Sequence, residues 1–257
     1  MENKIKPNKK LGQNFLINKY TINTILEILD IKKDDHIIEI GPGKGALTDF
    51  ITSKTKNYIG VEKDNNLCDL LNKKYNNNVK IINEDILKID LEELDKKKFR
   101  IVGNIPYNIS TKLILKCIDN IHYISNIHFM MQKEFVDRLI SEHGKKTYGR
   151  LSVLTQVFFK VEKYIDIKPN DFYPEPKIFS SFVSLTPLKS CLLKDHETDE
   201  FLLFVKEIFN TRRKKIKNCI SINSDIYYDS INKRAEELTI SEMIKLYRDL
   251  KSNGKFI

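Results

Sequence analysis

Between residues 36 and 185, short and nearly continuous apolar runs alternate with stretches whose apolar residues recur every three or four positions. The runs His36–Ile40, Tyr58–Val61, Val79–Ile82, Phe99–Val102 and Ile127–Met131 predict strands. Tyr164–Ile167 and Phe182–Leu185 predict two more, separated by a proline-rich turn. Gly45–Ser53, Asn65–Tyr75, Thr111–Ile118 and Lys133–Ile140 predict the helices between them. Leu151–Phe159 fits a helix and a strand equally well. Apolar strands that alternate with helices predict an α/β fold whose parallel sheet is covered on both faces. Past Pro187 the texture changes. Residues 189–196 are polar without a period, then Phe201, Phe204, Val205, Ile208 and Phe209 fall at helical spacing, and the rest to Leu250 reads as short helices. An α/β domain over 1–188 and a small all-helical domain over 189–257 are expected.

Composition narrows the class. A length of 257 residues fits one or two domains, and 41% hydrophobic with 10% aromatic residues excludes a disordered chain. The net charge of +9 suits an anionic partner such as nucleic acid. However, 37 of the 44 basic residues are Lys, in a chain also crowded with Ile and Asn, as codon bias alone would produce. Cys68, Cys117, Cys191 and Cys219 show no paired spacing, and the five His form no ligand motif. Neither a disulfide framework nor a metal site is expected. Apolar runs such as Phe129-Met130-Met131 are far too short for a membrane span. The N-terminal stretch has no apolar core and the first Arg is Arg100, so no targeting peptide is expected and the location is expected to be cytoplasmic.

The first chemical signal is Ile37-Ile38-Glu39-Ile40-Gly41-Pro42-Gly43-Lys44-Gly45, a strand running into a glycine turn that opens a helix. Such a turn lets a ligand approach bare backbone, although tight packing alone also explains it. The glycines are spaced G-x-G-x-G rather than G-x-G-x-x-G, which disfavours a dinucleotide and the nicotinamide-linked oxidoreductases that use one. Glu62 ends the second strand, 21 residues after Gly41, where a carboxylate can accept both ribose hydroxyls. Asp85 follows the third strand, where it can accept from an adenine amine. Gly41, Gly43, Glu62 and Asp85 thus fall at successive strand ends on one sheet edge, which points to an adenosine-containing cofactor.

The second signal is Gly103-Asn104-Ile105-Pro106-Tyr107-Asn108-Ile109-Ser110, directly after the fourth strand. Pro106 lacks an N–H and holds Ile105 extended, which stiffens the turn. Such a turn can present carbonyl oxygens beside the Asn104 side-chain oxygen, while Tyr107 offers a stacking face. Oxygens that take both hydrogens of an adenine amine localise its lone pair and ready it to attack an electrophilic methyl.

Asparagine, any residue, proline and an aromatic at this place resemble the S-adenosylmethionine-dependent methyltransferases that act on exocyclic amines. Over nearly its whole length the chain resembles the bacterial small-subunit ribosomal RNA adenine dimethyltransferase family (KsgA type). The resemblance rests on Leu11-Gly12-Gln13-Asn14-Phe15-Leu16, the glycine turn, Val61-Glu62-Lys63-Asp64, Glu84-Asp85 and Asn104 through Thr111. It continues through Met131-Gln132-Lys133-Glu134, Tyr148-Gly149-Arg150-Leu151-Ser152-Val153, Phe172-Tyr173-Pro174-Glu175-Pro176-Lys177, Phe209 through Lys214, and Arg234-Ala235-Glu236.

The resemblance implies a Rossmann-like class I methyltransferase sheet and a helical C-terminal domain that helps grip rRNA. By it, Asn14 and Leu16 close over S-adenosylmethionine, Gly41 and Gly43 sit against it, Glu62 holds its ribose and Asp85 its adenine. Asn104 contacts both the cofactor and the target amine and carries catalysis with Pro106 and Tyr107, and Tyr107 and Phe172 sandwich the target base. The family places two methyls on each of two adjacent adenosines in the 3′-terminal hairpin loop of small-subunit rRNA, leaves S-adenosylhomocysteine and uses no metal. A monomer acting on an immature small subunit is the expected working state. Phe179, where the family often has Asp, puts one loop contact in doubt, and Ile105 in place of the commoner Leu is a minor departure. Pro42, Gln132-Lys133-Glu134 and the Tyr148–Val153 stretch separate the chain from the sister group that methylates large-subunit rRNA and confers macrolide resistance.

Arg212-Arg213-Lys214-Lys215-Ile216-Lys217 concentrates charge, although residues 189–257 carry only +3. An ordinary solvated face explains such a run, and beside an rRNA enzyme Arg212, Arg213 and Lys214 read as phosphate contacts. Arg212 and Lys215 would fall on the apolar side of a continued helix, so either the helix stops near Asn210 or those two line a cleft. Lys4, Lys6, Lys9 and Lys10 form a second basic arm within residues 1–16. The rival from another class is a ribosome-assembly factor that binds nascent subunits without methylating. The intact Asn104–Tyr107 turn and Glu62 disfavour it.

Overall fold

A computed structural model describes residues 6–8, 11–190, 192–211, 213–220 and 229–253. The elements in chain order are β1 (Phe15–Leu16), α1 (Lys19–Leu29), β2 (Ile37–Ile40), α2 (Thr48–Lys54), β3 (Tyr58–Glu62), α3 (Asn65–Lys74), β4 (Lys80–Asn83) and β5 (Phe99–Asn104). They continue with α4 (Ser110–Asp119), β6 (Ile124–Gln132), α5 (Lys133–Leu139), α6 (Arg150–Gln156), β7 (Phe159–Ile167), β8 (Phe172–Tyr173), β9 (Ser180–Pro187), α7 (Thr198–Asn210) and α8 (Ile240–Ser252).

Seven strands form one sheet in the order β4-β3-β2-β5-β6-β9-β7. The four pairings from β4 across to β6 are parallel. β9 runs antiparallel to β6, so the sheet is mixed rather than wholly parallel. A reversed strand at the margin of a parallel sheet is a common solution, and an apolar run alone does not carry strand direction. The exposure of β7 alternates along its length, as expected at a sheet edge. It begins at Phe159, directly after the helix α6, so the ambiguous stretch holds both.

β2 and β5 lie side by side while the chain passes through β3 and β4 between them. The C-terminal ends of these two strands therefore flank the switch point where open α/β sheets bind ligands. The pairing there is close: a Cβ on Gly103 would lie 2.6 Å from the Ile40 carbonyl oxygen, which is backbone and cannot step aside. Gly103→Ala is expected to destabilise the fold by about 1–3 kcal/mol, read as a lower urea midpoint. An unchanged midpoint would contradict this packing.

Two features lie outside the predicted elements. Asn18 caps α1 by accepting from the Tyr20 and Thr21 amides, and α1 buries Ile25, Leu26 and Leu29 against Ile37, Ile51 and Phe182. Before it, β1 pairs antiparallel with β8 in a two-residue ribbon. The helix predicted from Gly45 begins only at Thr48, because Gly41, Gly43 and Gly45 all have left-handed φ of +63 to +84°.

By its internal contacts the chain divides into one unit of residues 1–136 and 162–187 and another of 137–161 and 188–257. The single cut expected at 188 therefore marks only the last crossing. Residues 137–161 join the second unit through Tyr148, fully buried with its ring edge-on to Phe209, and through the Gly144 N–H, which donates to the Glu236 carbonyl. Within that unit Tyr247 of α8 packs on Phe201 and Phe204 of α7 and donates to Glu200, while Arg248 pairs with Glu197. α7 stops at Asn210, the first of the two outcomes left open by its sequence. Arg213 and Lys214 lie on the turn beyond it and are exposed. Arg212, Lys4, Lys9 and Lys10 lie outside the described residues.

Candidate active site

A cavity of about 380 Å³ opens at the C-terminal ends of β2, β3 and β5, within the range of small-molecule sites. Glu62 stands at the end of β3 in its wall and is 6% exposed. One carboxylate oxygen accepts the Gly43 N–H at 3.1 Å and the other accepts the Asp64 N–H at 3.0 Å. The carboxylate thus clamps the glycine turn to the next strand while each oxygen keeps a lone pair for a hydroxyl donor. Burial raises its pKa, against the pull of those two amides.

Gly41 and Gly43 hold the turn open in conformations that side chains rarely adopt, and a Cβ on Gly43 would press the Phe15 ring at 3.2 Å. Asp85 lies in the same wall. Lys63 pairs with it at 2.8 Å and the Leu87 N–H donates to its other oxygen. Burial alone would raise its pKa, but Lys63 and that amide prevail and lower it.

The Asn104–Tyr107 corner forms the opposite wall. Ile105 donates its N–H to Met130 on β6, and the Pro106 carbonyl accepts from Ile109 in the short 3-10 turn Tyr107–Ile109. Ile105 lines the cavity beside Asn104. The Asn104 amide nitrogen donates to the Asn14 backbone carbonyl at 2.7 Å. A carbonyl needs a donor, so this bond sets which way the amide faces and leaves Oδ1 as its acceptor.

That bond joins the corner to the N-terminal segment, which spans the cavity and is tied at both ends. Gln13 donates to Asp64 at 2.8 Å, and Ile17 donates its N–H to the Asp171 carbonyl at 2.8 Å. Asp171 further accepts from Asn18 and Thr21 through its carboxylate. Asn14, Leu16, Gly41, Gly43, Glu62, Asp85, Asn104, Pro106, Tyr107 and Phe172 all line this one cavity. Asn14 enters through its backbone carbonyl, its side chain donating back to Gly12. Phe172 lines the cavity from the core, 3% exposed and packed with Leu16, and Tyr173 beside it lines the same cavity at 57% exposed. Arg213 and Lys214 belong to the second unit and are not lining residues.

Gln13, Asp64, Asp171 and Tyr173 were not singled out from sequence. Each joins segments far apart in the chain, and the Leu11–Leu16, Val61–Asp64 and Phe172–Lys177 motifs mark their neighbourhoods without giving them a role. Glu39 was likewise unassigned. It is buried in mid-strand on β2 and accepts from the Thr48 and Tyr58 hydroxyls, both at 2.7 Å. Burial pushes its pKa up to about 7, against those hydrogen bonds. A folded pKa above the unfolded value means that its contribution to stability is complete below about pH 4.5 and is lost as pH rises through about 7. Glu39→Gln is expected to flatten the fall in urea stability between pH 5 and 8, and an unchanged slope would contradict this.

The fold and the cavity together define a Rossmann-like class I S-adenosylmethionine-dependent methyltransferase. Solved structures of that class agree with the chain: a dimethyladenosine transferase from Plasmodium falciparum superposes with TM-score 0.83 at 25% identity, covering 95% of this chain and all of that one. The 23S rRNA methyltransferase ErmE superposes with TM-score 0.69 at 21% identity over 93% of this chain and all of its own, a likeness of fold alone. The sequence model described as Ribosomal RNA adenine dimethylase matches residues 4–250. The Ribosomal RNA small subunit methyltransferase A of Wigglesworthia glossinidia brevipalpis is 41% identical, over 95% of this chain and 98% of its own length. The protein of the same name from Francisella tularensis subsp. novicida is 39% identical, over 96% and 98%. The chain belongs to the ribosomal RNA adenine dimethylase family.

Proposed function

We propose that the protein dimethylates the N6 amines of two adjacent adenosines in the 3′-terminal hairpin loop of small-subunit rRNA, using S-adenosylmethionine. The observation that carries this reading is the Asn104 amide, turned by its N–H bond to the Asn14 carbonyl and lining one cavity with Glu62 and the glycine turn.

The residues present fit the cofactor. Gly41 and Gly43 keep a cradle that side chains would strain, and Glu62 is a buried carboxylate with acceptor capacity left for two hydroxyls. Glu62 would hold the ribose, Asp85 the adenine, and the Asn14–Leu16 segment the outer side. Bound there, the cofactor would supply a methyl carbon on positively charged sulfur; as the nitrogen lone pair forms the new N–C bond, the C–S pair would stay on sulfur as a neutral thioether and the surplus N–H proton would pass to water. Asn104 Oδ1 and the Ile105 carbonyl each accept a hydrogen bond from one N–H of the target amine, which localises the nitrogen lone pair. Tyr107 supplies a ring for the base, with Phe172 as the opposing wall. Loop adenines suit such a pocket because they are already partly unstacked.

Exposed Arg213 and Lys214, and Arg212 in the sequence between Thr211 and Arg213, contact phosphate. The protein acts as a monomer on an immature small subunit in the cytoplasm. Among the described residues, no helix is long and apolar enough to cross a membrane and no cluster of His, Cys, Asp and Glu could hold a metal.

The test is to incubate the protein and S-adenosylmethionine with undermethylated small subunits, then analyse the rRNA by mass spectrometry. Two neighbouring N6,N6-dimethyladenosines in the 3′-terminal fragment are expected. Methylation elsewhere in the small-subunit rRNA, or none at all, would overturn the reading.

A further inference from the structure

Ser180 lies outside the cavity lining, yet its hydroxyl meets the Tyr107 phenol oxygen at 3.0 Å across 73 positions of sequence. It opens β9, is 1% exposed, and stands opposite Gln132 of β6. The Lys133 N–H donates to the Phe179 carbonyl at 2.9 Å and ties down the strand just before it. The far end of the Tyr107 ring is thus anchored to the sheet, while its near end sits in the short turn that follows Pro106. A tyrosine side chain has two soft torsions, and a hydrogen bond at the phenol tip restrains both.

We propose that Ser180 is a positioning residue that holds the Tyr107 ring and thereby sets the balance between the first and second methyl transfers. The inference rests on the functional reading above. In the first transfer the amine has two hydrogens, and Asn104 Oδ1 and the Ile105 carbonyl hold one each. After it, one hydrogen remains and a methyl group occupies the place of the other. The base then depends on one hydrogen bond and on the ring beneath it. A ring free to tilt therefore costs the second transfer more than the first.

The experiment is a single-turnover time course on undermethylated small subunits, with N6-monomethyl- and N6,N6-dimethyladenosine quantified by mass spectrometry. In Ser180→Ala the second transfer is expected to slow about tenfold, the loss of one neutral hydrogen bond, and the first by less than about threefold. Monomethyladenosine then accumulates while cofactor affinity stays at the wild-type value. Tyr107→Phe keeps the ring and removes only the phenol oxygen, so it tests the same bond should Ser180→Ala fold poorly. It is expected to accumulate the same intermediate, and the double variant should be no worse than Tyr107→Phe. Equal slowing of both transfers, an unchanged product ratio, or fully additive losses would overturn the assignment. Wild-type protein that transfers no methyl would overturn the functional reading and this inference with it.

Discussion

Alanine in place of Asn104 is expected to cut methyl transfer to small-subunit rRNA by about 10²- to 10³-fold, the usual cost of removing one preorganised group at a reacting centre. Two losses combine. The acceptor that draws one amine hydrogen disappears, and the Asn14 carbonyl loses the donor it holds at 2.7 Å. An acceptor stranded in a partly buried place costs about 1–3 kcal/mol, and here it sits in the segment that spans the cavity. Cofactor affinity should therefore weaken as well, which truncating a group that touches only the base would not cause. Asn104→Asp keeps an oxygen but has no donor for Asn14, so it is expected to stay far below wild type. Labelled-methyl transfer together with calorimetric titration of the cofactor separates the two effects. A wild-type rate in Asn104→Ala would remove the mechanism.

Glu62→Ala is expected to weaken S-adenosylmethionine binding by about 100-fold or more, since hydrogen bonds to a charged group contribute about 1.5–3 kcal/mol each. The carboxylate also holds the Gly43 and Asp64 amides, so its removal loosens the glycine turn that forms the rest of the cradle. Glu62→Gln retains one acceptor oxygen and should fall between the two. Because burial raises the Glu62 pKa, wild-type affinity should weaken as pH falls through that raised value and the acceptor becomes protonated. Calorimetric titration across pH reads both effects. Unchanged affinity in Glu62→Ala would place the ribose elsewhere.

Much of the sheet was legible because β2, β3, β5 and β6 are largely apolar and buried, and such runs leave few alternatives once helices alternate with them. The direction of β9 was not legible, since pairing sense depends on the path of the chain and not on composition. The β1–β8 ribbon was equally hidden, because two-residue strands carry no period. Residues 137–161 read as part of the α/β domain, yet Tyr148 and Gly144 bind them to the second unit.

The site divides in the same way. Gly41, Glu62, Asp85 and Asn104 stand at strand ends, where local pattern predicts position, and they reach one cavity. The bonds that orient them do not follow from local pattern. Asn14 lies 90 positions from Asn104, Gln13 lies 51 from Asp64, and Ser180 lies 73 from Tyr107. These pairs exist only once the sheet has brought its edges together.

In the proposed reaction the Asn104–Tyr107 corner holds a target amine by its hydrogens beside the cofactor cradle. A crystal structure with a non-reactive cofactor analogue and the rRNA 3′-terminal hairpin tests it most directly. An extruded adenine is expected on the Tyr107 ring with N6 within about 3 Å of both Asn104 Oδ1 and the Ile105 carbonyl. An adenine bound with N6 turned away from those two oxygens, or held outside this cavity, would contradict it.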